Sequence, residues 1–478
     1  MKVLPRVGTG RAVLAAVAVS LVAAGCGQDT RQEATVSTTL PTQSFSTSSV
    51  SSTASQGTTA ASSTTVTSGT VTTTTTALGP PLTEEGLPVS LGADQVPWAE
   101  VGEGWLLVRY GQARSPGEAG GEFRTALFLV DPGDTVYFVA WWPNSEWILD
   151  WSPEGGRVLS YRDGALVVTD LKDDTAVAVP DDIYGGVSHD WEFPWARWAR
   201  FTRPTGRDLV VRLVQFNQRA RLEGLHTDGT RFAQLVDLDL TPLVPADNWQ
   251  IIGLGINDVT WLYAESGTEL VVATTEGISL VGNSGAIMRH LDAPGIGCTL
   301  SRWWDQGSVL AACYEPAWVA SPCWGRGQIG PGGGRILWAV PLDGSAATRL
   351  SQAVTCDPET GSPEYWAAYI DAVQVGGVLA LESETCCVCG SVLNFVAGGT
   401  VTAWDGYQGS PPCAPQVIGR RGDGFAVFDI MFSDQSGDPF GTLFQTAPDG
   451  TVLYPITPFS PGDSGGVVQV LTTEQTVR

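Results

Sequence analysis

The chain has 478 residues, 43% of them hydrophobic and only 16% charged, with 50 acidic residues against 26 basic ones and a formal net charge of −24. A chain this acidic is repelled by nucleic acid and by anionic lipid head groups, so a nucleic-acid role is excluded. Only Lys2 and Lys172 are lysines and every other basic residue is arginine, a skew typical of high-GC coding that points to an actinobacterial source.

The N-terminus has the three parts of a secretory signal. Lys2, Arg6 and Arg11 form a positive region, Ala12 to Ala24 an uncharged apolar run, and Ala23-Ala24-Gly25 a small-residue exit before Cys26. The run is about half the length of a permanent membrane helix, so cleavage is expected. The string around Cys26 resembles the bacterial lipobox, although Ala23 stands where that family more often has Leu. The resemblance implies that residues 1–25 are a lipoprotein signal peptide. Cys26 then carries the lipid and holds the chain to the extracytoplasmic face of the cell membrane. An ordinary signal peptide followed by a chance cysteine is the alternative. Cleavage removes three basic residues and no acidic one, which makes the mature chain more negative still.

Residues 26–85 read as a tether. From 36 to 79 almost every residue is Ser, Thr, Ala, Val or Gly, including Thr72 to Thr76. Such a segment buries too little apolar surface to offset its chain entropy and is expected to be disordered. Its root-mean-square reach is on the order of 35–40 Å. It serves equally as a plain spacer or as a glycosylated stalk.

Residues 86–478 form the body, and its pattern is all-β. Short apolar runs at Leu106 to Val108, Ala126 to Val130, Val136 to Ala140, Leu209 to Val211, Leu270 to Ala273 and Ala426 to Phe428 are separated by turn residues. Sandwich, barrel and propeller all fit that pattern, and a repeat decides between them. A Gly followed three residues later by a large apolar residue recurs seven times: Gly104/Leu107, Gly156/Leu159, Gly206/Leu209, Gly267/Leu270, Gly307/Leu310, Gly376/Leu379 and Gly422/Phe425. Trp98, Trp151, Trp198, Trp261 and Trp303 each precede one of these glycines by four to eight residues. The physical unit is a strand with a core aromatic, a tight turn, then a second buried strand. A β-propeller of seven blades is expected, with six or eight as alternatives.

The string from Trp151 to Asp170, W-S-P-E-G-G-R-V-L-S-Y-R-D-G-A-L-V-V-T-D, resembles the blade motif of TolB-like and WD40-like propellers. Glu154 replaces the usual Asp, and only this unit matches well. Asp343-Gly344 and Asp449-Gly450 echo its second half. The resemblance implies protein–protein interaction, by analogy of fold.

Nine cysteines suit an oxidising compartment. Beyond Cys26, Cys298, Cys313, Cys323, Cys356, Cys386, Cys387, Cys389 and Cys413 are an even set confined to the C-terminal half, and disulfides are expected there. Eight cysteines allow 105 pairings, which the sequence does not resolve. Cys386, Cys387 and Cys389 are spaced too closely for a zinc site.

Other motifs fail on context. Gly462-Asp463-Ser464-Gly465-Gly466 is spelled like a serine-protease nucleophile, yet His189, His226 and His290 all precede it in the wrong contexts for a general base. Gly325 to Gly330 fits a dinucleotide loop, but Pro331 and the following glycines forbid the helix it needs. Each His lies within two residues of an Asp, and Asp-rich turns at Asp131 to Asp134 and Asp170 to Asp174 could hold calcium, without any twelve-residue loop pattern. No cofactor and no metal site is expected. Trp141-Trp142 and Trp303-Trp304 are candidate ligand contacts, because neighbouring strand residues face opposite ways and exposed aromatics anchor protein or sugar ligands. Trp191, Trp195 and Trp198 form a third cluster. All-core packing of every Trp is the competing reading. The expected function is a non-catalytic platform for a protein or glycan. The alternative is a propeller-type glycosidase or lyase with a carboxylate pair in its funnel.

Overall fold

The computed structural model describes residues 80–83, 86–112, 124–152, 154–162, 165–179, 199–203, 207–216, 219–227, 230–239, 260–264, 269–274, 277–282, 286–316, 335–352, 368–384, 391–398, 400–406, 415–432, 439–456 and 465–473. The expected signal peptide, Cys26 and nearly all of the expected tether therefore lie outside the described residues. The described residues of the body are almost wholly β, and their strands group into seven blades of four antiparallel strands.

Blade 1 contains β1 (Leu106–Gln112), β2 (Arg124–Val130) and β3 (Val136–Trp142). Blade 2 is β4 (Trp147–Trp151), β5 (Arg157–Arg162), β6 (Ala165–Asp170) and β7 (Thr175–Val179). Blade 3 is β8 (Ala199–Thr202), β9 (Leu209–Phe216), β10 (Arg219–His226) and β11 (Arg231–Asp239). Blade 4 is β12 (Thr260–Tyr263), β13 (Glu269–Thr274), β14 (Gly277–Gly282) and β15 (Ile287–Leu291). Blade 5 is β16 (Ile296–Asp305), β17 (Ser308–Tyr314), β18 (Arg335–Pro341) and β19 (Thr348–Arg349). Blade 6 is β20 (Ala368–Val375), β21 (Val378–Glu384), β22 (Ser391–Ala397) and β23 (Thr400–Ala403). Blade 7 is β24 (Pro415–Arg421), β25 (Gly424–Phe432), β26 (Pro439–Thr446) and β27 (Val452–Pro455). The last strand, β28 (Gly465–Thr472), returns to blade 1 and pairs with β1 from Leu106↔Thr472 to Gln112↔Gly465. Blade 1 thus takes its inner strand from the far end of the chain.

A single bridge, Gly441↔Val467, joins β26 to β28 as the chain crosses from blade 7 to blade 1. Gly441 is required there by close approach, since a Cβ would lie 2.6 Å from the Asp429 carbonyl oxygen and 2.2 Å from the Phe428 ring.

Burial falls from the inside of each blade to its rim. The second and third strands of blade 1 read LLVRYGQ and RTALFLV and are buried on both faces, because each blade packs against a neighbour on either side. The outer strands β7, β15 and β23 are almost wholly exposed. Apolar clusters fill the seams. Leu127, Trp142, Ile148 and Trp151 lie between blades 1 and 2, and Leu149, Leu159, Val168, Phe201 and Val210 between blades 2 and 3. Val271, Leu300, Trp303 and Val340 lie between blades 4 and 5, and Leu310, Leu337, Tyr369 and Leu381 between 5 and 6. Phe395, Trp404, Phe425 and Phe444 join blade 6 to blade 7, and Phe128, Ile418, Phe428 and Val467 join blade 7 to blade 1.

Cys298 on β16 and Cys313 on β17 form a disulfide across the first hairpin of blade 5, and both are buried. The other six candidate cysteines, Cys323, Cys356, Cys386, Cys387, Cys389 and Cys413, lie outside the described residues. The bridge closes a separation of 15 residues, for which the loop-entropy argument gives about 3 kcal/mol. Replacing both cysteines by Ala is expected to lower the unfolding free energy by about that amount. Chemical denaturation of the two proteins under non-reducing conditions measures it.

Candidate functional site

Propellers place their ligand contacts on the faces and along the axis, so the polar side chains of the inner strands come first. An inner strand pairs on one edge only, and its other edge must find partners elsewhere. Here the neighbouring blade supplies them. Asp150 on β4 accepts from the backbone N–H of Trp151 at 2.9 Å and, across the seam, from that of Phe201 on β8 at 2.7 Å. Thr260 on β12 accepts from Leu300 N on β16 at 2.7 Å. Glu382 on β21 accepts from Val417 N on β24 at 3.1 Å. Gln469 on β28 donates to the Ile148 carbonyl of β4 at 2.9 Å.

The most extended tie is Arg302. Its guanidinium pairs with Asp371 of blade 6, with Nε to Oδ1 at 2.9 Å, and reaches the Val417 and Ile418 carbonyls of blade 7 at 3.3 and 3.4 Å. Ser301 donates to the same Asp371 carboxylate. One side chain therefore links three blades.

A second set of ties lies on the face that carries the turns between first and second strands and between third and fourth. Asp208 of blade 3 accepts from Ser152 at 2.9 Å and from Arg157 at 3.0 Å, both of blade 2, while Arg203 lies 3.3 Å from its other oxygen. Burial raises the Asp208 carboxyl above its ordinary range, against the pull of Ser152 and Arg157. Arg421 of blade 7 donates to Asp134 at 2.5 Å, to the Asp131 carbonyl at 2.7 Å and to the Gly104 carbonyl at 3.3 Å. Burial also lowers Arg109 to about 10, with Glu146 opposing, and this arginine holds the Pro143 and Asn144 carbonyls at 3.1 and 3.0 Å.

These bonds account for the Asp-rich turns singled out in the sequence. Asp131 accepts from the N–H groups of Gly133 and Thr135, both at 2.8 Å, and Asp134 holds Arg421. Asp170 accepts from Lys172 N at 3.0 Å and pairs with Arg157 at 3.3 Å. Among the described residues, no three His, Cys, Asp or Glu side chains converge as metal ligands would. His226 is exposed, and exposed His290 stands 3.1 Å from Ser279 Oγ. His189, the 325–330 loop, Ser464 and the Trp191/Trp195/Trp198 cluster lie outside the described residues. Gly465 and Gly466 open the closing strand.

Asp150 is buried at 6% exposure beside Arg200, and its carboxyl is raised to about 7, chiefly by desolvation, with Arg200 and the two N–H donors opposing. Unfolded, an aspartate loses its proton near pH 4. Folded, Asp150 keeps it to about pH 7. Across that window the folded chain binds the extra proton, so Asp150 makes stability fall as pH rises, levelling above about pH 7. Asp150→Asn is expected to flatten this slope by a few kcal/mol at most. Urea midpoints from pH 4 to 8 for both proteins test it.

The tryptophan pairs follow strand alternation. Trp142 and Trp303 are buried in the seams between blades 1 and 2 and blades 4 and 5, where Trp303 Nε1 donates to the Tyr263 carbonyl at 2.6 Å. Their partners are only partly buried. Trp304 packs against the cluster of blades 5 and 6. Trp141 packs against that of blades 7 and 1, with Phe138 edge-on at 5.8 Å and the Arg124 guanidinium 3.8 Å over its ring. Sequence reasoning missed Arg302, Asp371, Asp208 and Arg421. No local signal marks them, since each tie pairs a residue with one at least 50 positions away.

No protein-family model matches the chain, and no curated protein matches its sequence. Solved structures similar to it include TolB from Acinetobacter baumannii, at 10% identity over 77% of this chain and 66% of that one, with a TM-score of 0.36. A prolyl endopeptidase matches at 13% identity over 76% and 50%, with a TM-score of 0.43. The β-propeller domain of the Trilobed protease from Pyrococcus furiosus matches at 10% identity over 74% and 96%, with a TM-score of 0.39. The chain thus spans half of the endopeptidase's length and just under two thirds of TolB's. The likeness to these structures is one of fold alone.

Proposed function

We propose that this chain is an exported lipoprotein, held to the extracytoplasmic face of the membrane through Cys26, whose propeller is a non-catalytic platform for a protein or glycan ligand. The observation that carries this reading is the commitment of charged side chains on the inner two strands of the blades to the frame. Asp150, Glu382, Arg302 and Asp371 satisfy backbone edges and one another across the seams. A scaffold tied in this way holds its loops and rim in fixed positions, which a recognition surface needs. Trp141 and Trp304 are the part-exposed aromatics left as candidate contacts, with Trp142 and Trp303 packed behind them.

The full mature chain, immobilised and exposed to solubilised envelope, tests this. Retention of one reproducible protein or glycan, weakened at least tenfold by Trp141→Ala or Trp304→Ala, is the expected result. Retention unchanged in both variants removes the tryptophans from the site. A palmitate label that persists in Cys26→Ala removes the anchor.

A second reading has one observation behind it. Asp150 holds its proton to about pH 7, the range of a general acid. Both of its oxygens already accept backbone N–H groups, however, which suits a structural carboxyl better.

A further inference from the structure

Before the chain enters β1 it makes a crossing that the ring does not need for strand pairing. Leu82 and Ser90 bond each other's backbone at 2.6 and 3.3 Å in an antiparallel bridge. Leu91 then lies parallel to β3, donating to the Val136 carbonyl and accepting from Phe138 N, both at 2.8 Å. The outer edge of blade 1 is covered by this contact, whereas β7, β15 and β23 have no further strand beside them among the described residues.

Past a 3₁₀ turn at Ala93–Gln95, the segment leaves blade 1 and passes under blade 2. Val96, Val101 and Trp105 are buried in one cluster with Leu127, Leu129 and Tyr137 of blade 1, with Ile148, Trp151, Val158 and Leu171 of blade 2, and with Leu471 of β28. Trp105 stacks on Tyr137 at 5.8 Å. Val101 sits so close to Gly155 that a Cβ there would lie 2.1 Å from its Cγ1, and Gly155 has φ +67°, so the backbone at Gly155 is shaped to receive it. Lys172 of blade 2 lies 5.8 Å over the ring of Trp98.

We propose that residues 86–105 form a strap that latches blade 1 to blade 2. Blade 1 is then held twice, by β28 along its inner edge and by the strap along its outer edge and underside. The two fastenings meet in one apolar cluster, so loosening the strap weakens the support of β28. A pull arriving from the N-terminal side of Leu82 reaches the strap before any strand of the ring. The strap is therefore a device that decides how firmly the closing blade is seated, independent of which ligand the propeller takes.

Hydrogen–deuterium exchange of the full chain, read by mass spectrometry, tests it with two separate variants. Leu91→Pro removes the N–H that bonds Val136 along the outer edge of blade 1, and Val101→Ala removes the contact on Gly155. In both, exchange is expected to quicken at least tenfold in β4 and β28, while blades 4 to 6 keep their wild-type protection and show that the protein is folded. Faster exchange confined to residues 86–105 and β3 would overturn the proposal, because the segment would then be a passenger on blade 1. If Val101→Ala disturbs blades 4 to 6, Leu91→Pro alone decides.

Discussion

Deleting residues 465–478 is expected to leave a chain that does not fold cooperatively. The strand lost, β28, supplies the inner edge of blade 1 along the whole length of β1. It also brings Val467, Val470 and Leu471 into the clusters on both sides of that blade. Burying three such side chains is worth about 5–9 kcal/mol, comparable with the whole stability of a domain. The deletion also bares the inner edge of β1, beside which no other strand stands among the described residues. Loss of the near-ultraviolet circular dichroism signal and of a sharp thermal transition would be the outcome. A truncated chain that melts cooperatively within a few degrees of the intact one would show that the ring does not depend on this closure.

Arg302→Met is expected to be the most damaging single substitution among the inner-strand ties. The arginine side chain is 7% exposed and its partner Asp371 18% exposed. Removing one member of a buried pair strands the other, at a typical cost of 3–5 kcal/mol. Two carbonyls of blade 7 lose a donor at the same time. Pairing the change with Asp371→Leu should recover much of the loss, since apolar groups of similar volume often replace buried pairs without net cost. Urea denaturation of the two single variants and the double variant gives the coupling. Equal loss in the double and in the sum of the singles would mean that the pair does not act as a unit.

Much of the frame was legible in the sequence, for a local reason. A blade begins with a hairpin, and a hairpin is written in a few consecutive residues. The apolar members of the seven repeat pairs, Leu107, Leu159, Leu209, Leu270, Leu310, Leu379 and Phe425, all fall in the second strand of a blade, one in each of the seven. Trp151, Trp261 and Trp303 lie in the inner strands that precede them, as the repeat implied. Trp98 does not. It sits in the strap, because blade 1 draws its inner strand from the C-terminal end, and no local pattern before β1 can announce that. The one well-matched blade motif also has a physical explanation. Ser152 accepts from Gly155 N at 2.7 Å through its carbonyl, Trp151 Nε1 donates to the Gly155 carbonyl at 3.0 Å, and the turn needs the positive φ of Gly155.

The candidate site was less legible. Alternation correctly set the two members of each Trp pair on opposite faces of a strand. It could not say that both faces of a propeller blade meet a neighbour, which is why Trp142 and Trp303 are buried and their partners partly so. The ties at Asp150, Asp208, Arg302 and Arg421 were invisible because they join residues from different blades. Blade-to-blade contact is a property of the closed ring, and a linear string records it only as scattered charges.

Holding a ligand without transforming it is what separates a binding platform from an enzyme in this propeller. The direct measurement incubates the full mature chain with the envelope glycan and protein fraction, and counts both material retained and bonds broken, by new reducing ends and new peptide termini. Retention of a ligand that is released unaltered, with no new ends above the level of buffer, is the predicted result. New ends that accumulate with time in the wild type and disappear in Asp150→Asn would contradict it, and would make that buried carboxyl part of an active site.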